Sequence, residues 1–163
     1  MPDFTHFNER GESRMVDVTD KPLTNRIAIA RGQVFMKEET LLKIYDSKIE
    51  KGNVLEVARL AGIMGAKQTH QLIPLCHPLA VSGIELTFYR QTKSVLIEAT
   101  VKVSGQTGVE MEALTAVSIA ALTIYDMCKA IDRAMVISNI CLVHKEGGAS
   151  GLYERKDDIC PEQ

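Results

Sequence analysis

Between Ile84 and Val103 the sequence alternates with period two, and this constrains the fold more than any other feature. Val95, Ile97, Ala99, Val101 and Val103 fall on one side, Glu98, Thr100 and Lys102 on the other. Just before them, Ile84, Leu86 and Phe88 alternate with Glu85, Thr87 and Tyr89. Alternation of this kind puts apolar side chains on one face of a half-buried strand. The two runs therefore predict a hairpin that turns near residues 91–93. A hairpin with one apolar face must bury that face under a second layer.

Two helical segments can supply the cover. Asn53-Val-Leu-Glu56 and Thr107-Gly-Val-Glu110 each read as a capping box, with a side chain that accepts from an N–H three residues on and a Glu that reaches back. The first predicts a helix from about Val54 to Leu72, stopped by Pro74, and the second a helix from about Val109 to Ala130. Ala58, Ala61, Gly62, Gly65 and Ala66 on one, and Ala113, Ala116, Ala120 and Ala121 on the other, invite close backbone approach, within a subunit or between subunits. A further strand is expected across Arg26 to Met36, a short helix near Glu39 to Tyr45, and a last strand across Met135 to Val143. The order strand, long helix, strand, strand, long helix, strand is that of an α+β, ferredoxin-like split βαβ sandwich, an antiparallel sheet covered by two long helices.

A chain of 163 residues with 45% hydrophobic residues fits a single domain. Residues 1–14 and 147–163 read as loose ends, leaving one catalytic-sized unit over 15–146. A net charge of -2, without a basic patch interleaved with aromatics, argues against nucleic acid. The longest uncharged stretch in the second helix covers only residues 113–125, short of the roughly 20 that a membrane span needs. Cys76, Cys128, Cys141 and Cys160 are irregularly spaced with no CxxC pair, which suggests neither a disulfide framework nor a zinc site, and a cytoplasmic location is expected.

Three places could carry chemistry. In Leu72-Ile-Pro-Leu-Cys-His-Pro-Leu79, Cys76 and His77 are held between two prolines, which suits either a rigid connector or a functional site. Ser104-Gly-Gln-Thr-Gly108 leads a strand into a helix N-terminus, a place that favours anions, although its spacing is not that of a Walker loop. The acidic turn that follows, with Glu110 and Glu112, could bind amino and ring N–H groups of a purine-like base. Asp126 and Lys129 are helical neighbours in an otherwise apolar helix end, where a partly buried Lys beside an Asp would have a tuned proton affinity. Taken as a plain surface ion pair, the same two residues would contribute little. Lys51 could supply a second amine, and Arg26, Arg59, Lys67 and Lys145 are further cations for a polyanion.

Met15-Val-Asp-Val18, Lys51-Gly52, Ala61-Gly-Ile63, Leu72-Ile-Pro-Leu-Cys-His-Pro-Leu79, Thr107-Gly-Val-Glu-Met-Glu-Ala-Leu-Thr115 and Ala121-Leu-Thr-Ile-Tyr-Asp-Met-Cys-Lys-Ala130 together resemble the MoaC family, over about Thr5 to Gly151. The resemblance implies a ferredoxin-like subunit in a homohexamer, a trimer of dimers with sites at subunit interfaces. It also implies a lyase of molybdenum cofactor biosynthesis that converts 3′,8-cyclo-7,8-dihydroguanosine triphosphate to cyclic pyranopterin monophosphate and pyrophosphate. Carried over, Asp126, Lys129 and Lys51 would be catalytic. Leu75, Cys76, His77, Met111 and Glu112 would bind substrate, with Arg26, Lys67 and Lys145 toward the phosphates. No cofactor is implied, and whether Mg²⁺ accompanies the triphosphate is left open. Two departures stand out: Asn53 where Asp commonly follows Lys-Gly, and Ala149 where the Gly-Gly-Lys-Ser-Gly tail usually has Lys.

Two other classes compete. A nucleotide-sensing module would bind a GTP-like ligand without turnover and would have no need of Lys129 beside Asp126. A metal-dependent phosphohydrolase would want clustered carboxylates, for which Glu110 and Glu112 are a poor substitute.

Overall fold

The computed structural model describes residues 5–46 and 53–157. Its sheet contains β1 (Thr24–Phe35), β2 (Gly83–Arg90), β3 (Ser94–Gly105), β4 (Val136–Glu146) and β5 (Tyr153–Glu154) in the spatial order β2-β3-β1-β4-β5. All neighbours are antiparallel. Without β5 this is the four-strand order of the split βαβ sandwich, as expected. The hairpin turns where the alternation stops: β2 and β3 pair from Gly83↔Lys102 to Arg90↔Val95.

The apolar side of that alternation is buried. Ala28, Ala30 and Val34 on β1 lie level with Val101, Ala99 and Val95 on β3, and all are in the core. Above them pack α2 (Val54–Lys67) and α4 (Glu110–Cys128), while α1 (Glu38–Tyr45) and α3 (Thr69–Leu72) are short. The small residues serve contact within the subunit. A methyl group on Gly62 of α2 would lie 2.5 Å from Leu86 Cδ2 and 2.9 Å from the Ala116 carbonyl oxygen, and one on Gly65 2.7 Å from Ile119 Cγ1. Glycine there lets α2 approach α4 to backbone contact. α4 is apolar and long enough to cross a membrane by length and composition alone, but it is the central core helix, buried through Ala113, Ala116, Val117, Ala120, Ala121 and Ile124.

The structure corrects four local expectations. The first helix does not run on to Leu72: it stops at Lys67 and resumes as α3, because Gln68 leaves helical geometry at φ -106, ψ 8 and Thr69 donates its hydroxyl to the Ala66 carbonyl. Asn53 does cap α2, its Oδ1 accepting from the Glu56 N–H at 3.2 Å, but Thr107 does not cap α4, which starts after Val109 with no side-chain cap. The Glu110 carboxylate that would complete that box folds back beside Gly108 and pairs with Lys145 at 3.3 Å. β5 adds a strand from the segment read as loose, held by Arg155, whose N–H and Nε donate to the carbonyls of Val143 and Leu142. Finally, Cys141 is disulfide-bonded, whereas Cys76 is a free thiol. Irregular spacing in sequence does not show which cysteines the fold brings within bridging distance.

Just past α4, Asp132 fastens that helix's end to the start of α1. It is 2% exposed, and its carboxylate accepts from the Lys37 N–H at 2.9 Å, the Thr40 hydroxyl at 3.3 Å and the Ala134 N–H at 3.1 Å. These donors, Lys37 first, hold the carboxyl below the usual carboxylate value in spite of its burial. A carboxyl whose value is lowered by folding stabilises the protein above the unfolded value near 4, and the contribution is lost as pH falls through the folded value. Asp132→Asn should therefore cost about 1–3 kcal/mol near neutral pH. Urea unfolding midpoints of the two proteins should converge as pH falls below about 4; a gap that stays constant down to acid pH would contradict the assignment.

Candidate functional site

A cleft of about 410 Å³ opens at the N-terminal end of α4, within the size range of small-ligand sites. Two sequence motifs build it. Leu75, Cys76 and His77 come from the connector between α3 and β2, and Glu110, Met111 and Glu112 from the first turn of α4, with Thr107 and Gly108 just before. A third contributor was not foreseen: the N-terminal segment lays Thr5, His6, Val16, Val18 and Lys21 along the cleft. That segment has no strand or helix. It is held by side chains reaching from the body, with Gln106 Nε2 donating to the carbonyls of Thr19 at 3.1 Å and Lys21 at 3.0 Å. His77 Nε2 lies 2.7 Å from the Val16 carbonyl oxygen. Since a carbonyl only accepts, Nε2 carries the proton and donates, leaving Nδ1 as the second ring nitrogen.

Glu112 is buried at the floor of the cleft, and burial first, then the neighbouring Glu110, push its carboxyl up to about 7 against a bond from its own backbone N–H. Burial, followed by the charge of Glu112, also raises the Cys76 thiol. The N-terminal segment adds Lys21 and His6 to the lining. Asp17 on the same segment is lowered, chiefly by the Thr19 hydroxyl and backbone N–H. The lining thus offers carboxyl oxygens for N–H donors and a lysine for anions.

The remaining candidates stand apart from this group. Arg26 braces the Ser104–Gly108 loop: its Nε donates to the Gly105 carbonyl and its Nη2 to the Gln106 carbonyl, each at 3.0 Å. Lys145 sits beside the cleft, bonded to Glu110 and to the Ser150 hydroxyl. Lys67 is exposed at the C-terminal end of α2. Lys51 lies outside the described residues.

Asp126 and Lys129 do form a pair, Nζ to Oδ1 at 2.6 Å, but at the far end of α4. Their side chains are 63% and 53% exposed, more open to solvent than the partly buried amine expected in an apolar helix end. The apolar residues around them in sequence point elsewhere, into the core, while Met111, Leu122, Asp126 and Lys129 follow one another along an outward stripe of the helix. Among the described residues no group of three His, Cys, Asp or Glu could hold a metal ion.

The family model for the MoaC family matches residues 15–148. The chain belongs to the MoaC family. It is 59% identical over 154 residues to a cyclic pyranopterin monophosphate synthase from Thermoanaerobacter sp. (strain X514), covering 93% of this chain and 98% of the relative. It is 58% identical to proteins of the same name from Pelotomaculum thermopropionicum, covering 97% and 94%, and from Cereibacter sphaeroides (strain ATCC 17029 / ATH 2.4.9), covering 94% and 98%. Every element of this MoaC sheet except β5, both long helices and the whole cleft except Thr5 and His6 lie within the matched residues.

Proposed function

We propose that this protein is a cyclic pyranopterin monophosphate synthase, a lyase that rearranges 3′,8-cyclo-7,8-dihydroguanosine triphosphate to cyclic pyranopterin monophosphate with release of pyrophosphate. The observation that carries this reading is the meeting of Leu75–His77 with Met111–Glu112 on one cleft, which Lys21 of the N-terminal segment also lines. Glu112 would offer acceptors to the amino and ring N–H groups of the base, with Lys21 and His77 on the cleft, and Arg26 and Lys145 outside its lining, serving the phosphates. Lys67 lies further out and would reach the phosphates only from a neighbouring subunit.

The reaction opens an imidazole ring by hydrolysis, closes a pyrazine ring and attacks the innermost phosphate with a ribose hydroxyl. Each step moves protons between heteroatoms without change of oxidation state, so positioned acids and bases suffice: Lys129, with Asp126 directing its amine, and Lys51. Cations around the phosphates stabilise charge as pyrophosphate leaves. Because the Asp126–Lys129 pair and the cleft occupy opposite ends of α4, a complete site needs two subunits. The exposed Val57, Leu60 and Met64 on α2 and Leu122 on α4 supply apolar surface for such an assembly, which the resemblance would make a hexamer, a trimer of dimers. A cytoplasmic location goes with a substrate made from GTP.

The deciding experiment incubates purified protein with the cyclised GTP intermediate, with and without a chelator, and follows pyrophosphate and pterin product. Equimolar appearance of both is expected, and the chelator arm reads any need for Mg²⁺. Binding without either product would favour the sensing module.

A further inference from the structure

Glu112 is 4% exposed, yet its side chain lines the cleft. The ionisable groups around it are Glu110 on its own helix, Cys76 and His77 on the connector, and His6 and Lys21 on the N-terminal segment. Lys145 is engaged by Glu110, and the Nε2–H of His77 by Val16. Among the described residues no Lys or Arg forms an ion pair with Glu112. The carboxyl thus has a helix N-terminus and its own backbone N–H in its favour, and burial plus a neighbouring carboxylate against its charge.

We propose that Glu112 carries a proton while the cleft is empty and releases it when a ligand's paired N–H groups dock, coupling recognition of a 2-amino-pyrimidinone edge to proton release. The proposal rests on the functional reading above for the kind of ligand. Its chemistry is a count of donors and acceptors. A neutral carboxylic acid presents one acceptor and one donor, and the donor clashes with a second incoming N–H; an ionised carboxylate presents two acceptors and takes both N–H groups side by side. The ligand's donors replace the hydration that burial removed, so the charge is stable only once the ligand is present. A base without the 2-amino group brings one donor, which the neutral acid can accept through its carbonyl oxygen, and the proton stays. Proton release then reports the presence of the amino group.

The test is calorimetry at pH 6.5 in two buffers of different ionisation enthalpy, with GTP and inosine triphosphate as probes, on wild type and Glu112→Gln. Protons from the triphosphate and from His6, His77 and the other neighbours are common to both nucleotides and cancel in the difference. Wild type should release more protons with GTP than with inosine triphosphate, the excess shrinking as pH rises past the Glu112 value of about 7; Glu112→Gln should show no difference. Infrared difference spectra of the unaltered protein provide a second reading, in which the C=O band of a protonated carboxyl should disappear when GTP is added at pH 6.5. Equal release for both nucleotides in wild type, an excess that persists in Glu112→Gln, or an unchanged carboxyl band would each overturn the proposal. A protein that shows the excess but does not turn over the cyclised intermediate would sink the functional reading alone, and an active protein with equal release would sink the proton coupling alone.

Discussion

Lys129→Ala should lower single-turnover conversion of the cyclised GTP intermediate by about 10²- to 10⁴-fold, the range general acid–base groups supply, with fold and assembly unchanged. The structure explains why so large an effect would be purely chemical. Lys129 caps the C-terminal end of α4 through its backbone N–H, which bonds the Tyr125 carbonyl, and alanine keeps that bond. What is lost is an amine more than half exposed, in an i,i+3 pair with Asp126, and exposed pairs contribute under about 1 kcal/mol. Urea unfolding measured in parallel should therefore coincide with wild type within about 0.5 kcal/mol. Retention of activity to within a few-fold would remove Lys129 from the chemistry, whatever its resemblance suggests.

The second large effect is a restoration. His77→Ala and Lys129→Ala should each be nearly inactive alone, yet a mixture that has exchanged subunits should recover activity at about a quarter of its sites, the share of randomly paired interfaces that receives an intact His77 from one chain and an intact Lys129 from the other. From Glu112 to Lys129, α4 rises about 25 Å at 1.5 Å per residue, which one nucleotide-sized ligand seated in the cleft cannot span within a chain. Mass spectrometry of the mixture establishes exchange, and pyrophosphate release measures rescue. Full exchange with no recovery would mean that the two ends act in separate sites or that a single chain completes the site by rearranging.

What the sequence made legible follows from which interactions are periodic. The hairpin, the two long helices and the order of strands are written in alternation and helical spacing, and the sheet is built accordingly. The Leu75–His77 and Met111–Glu112 segments were readable as special because prolines and an acidic helix start are local signs. The contribution of His6 and Lys21 was not, because the segment that carries them has no period and is placed by Gln106 and His77, more than sixty residues away in the chain for His77 and Val16. The Asp126–Lys129 pair misled in another way: an apolar neighbourhood in sequence became an exposed stripe in space, since a helix sends adjacent residues to different faces. The failed Thr107 cap had a non-local cause too, a lysine on β4 that draws Glu110 away.

The twin bonds of Arg26 bear on the missing lysine at position 149. With Nε and Nη2 committed to the Gly105 and Gln106 carbonyls, the guanidinium is pinned like a hinge plate, and its remaining face, Nη1, turns toward Gly148, where any side chain would collide with it. Gly148 sits at φ +74, a backbone shape glycine takes without strain. A flexible lysine arriving from that turn would have to surrender its rotamers to hold an anion, whereas a guanidinium already fixed by two backbone carbonyls surrenders almost none. The turn's bareness is thus a matter of fit: carrying only hydrogen at 148, it lies directly against the preset guanidinium of Arg26 without displacing it.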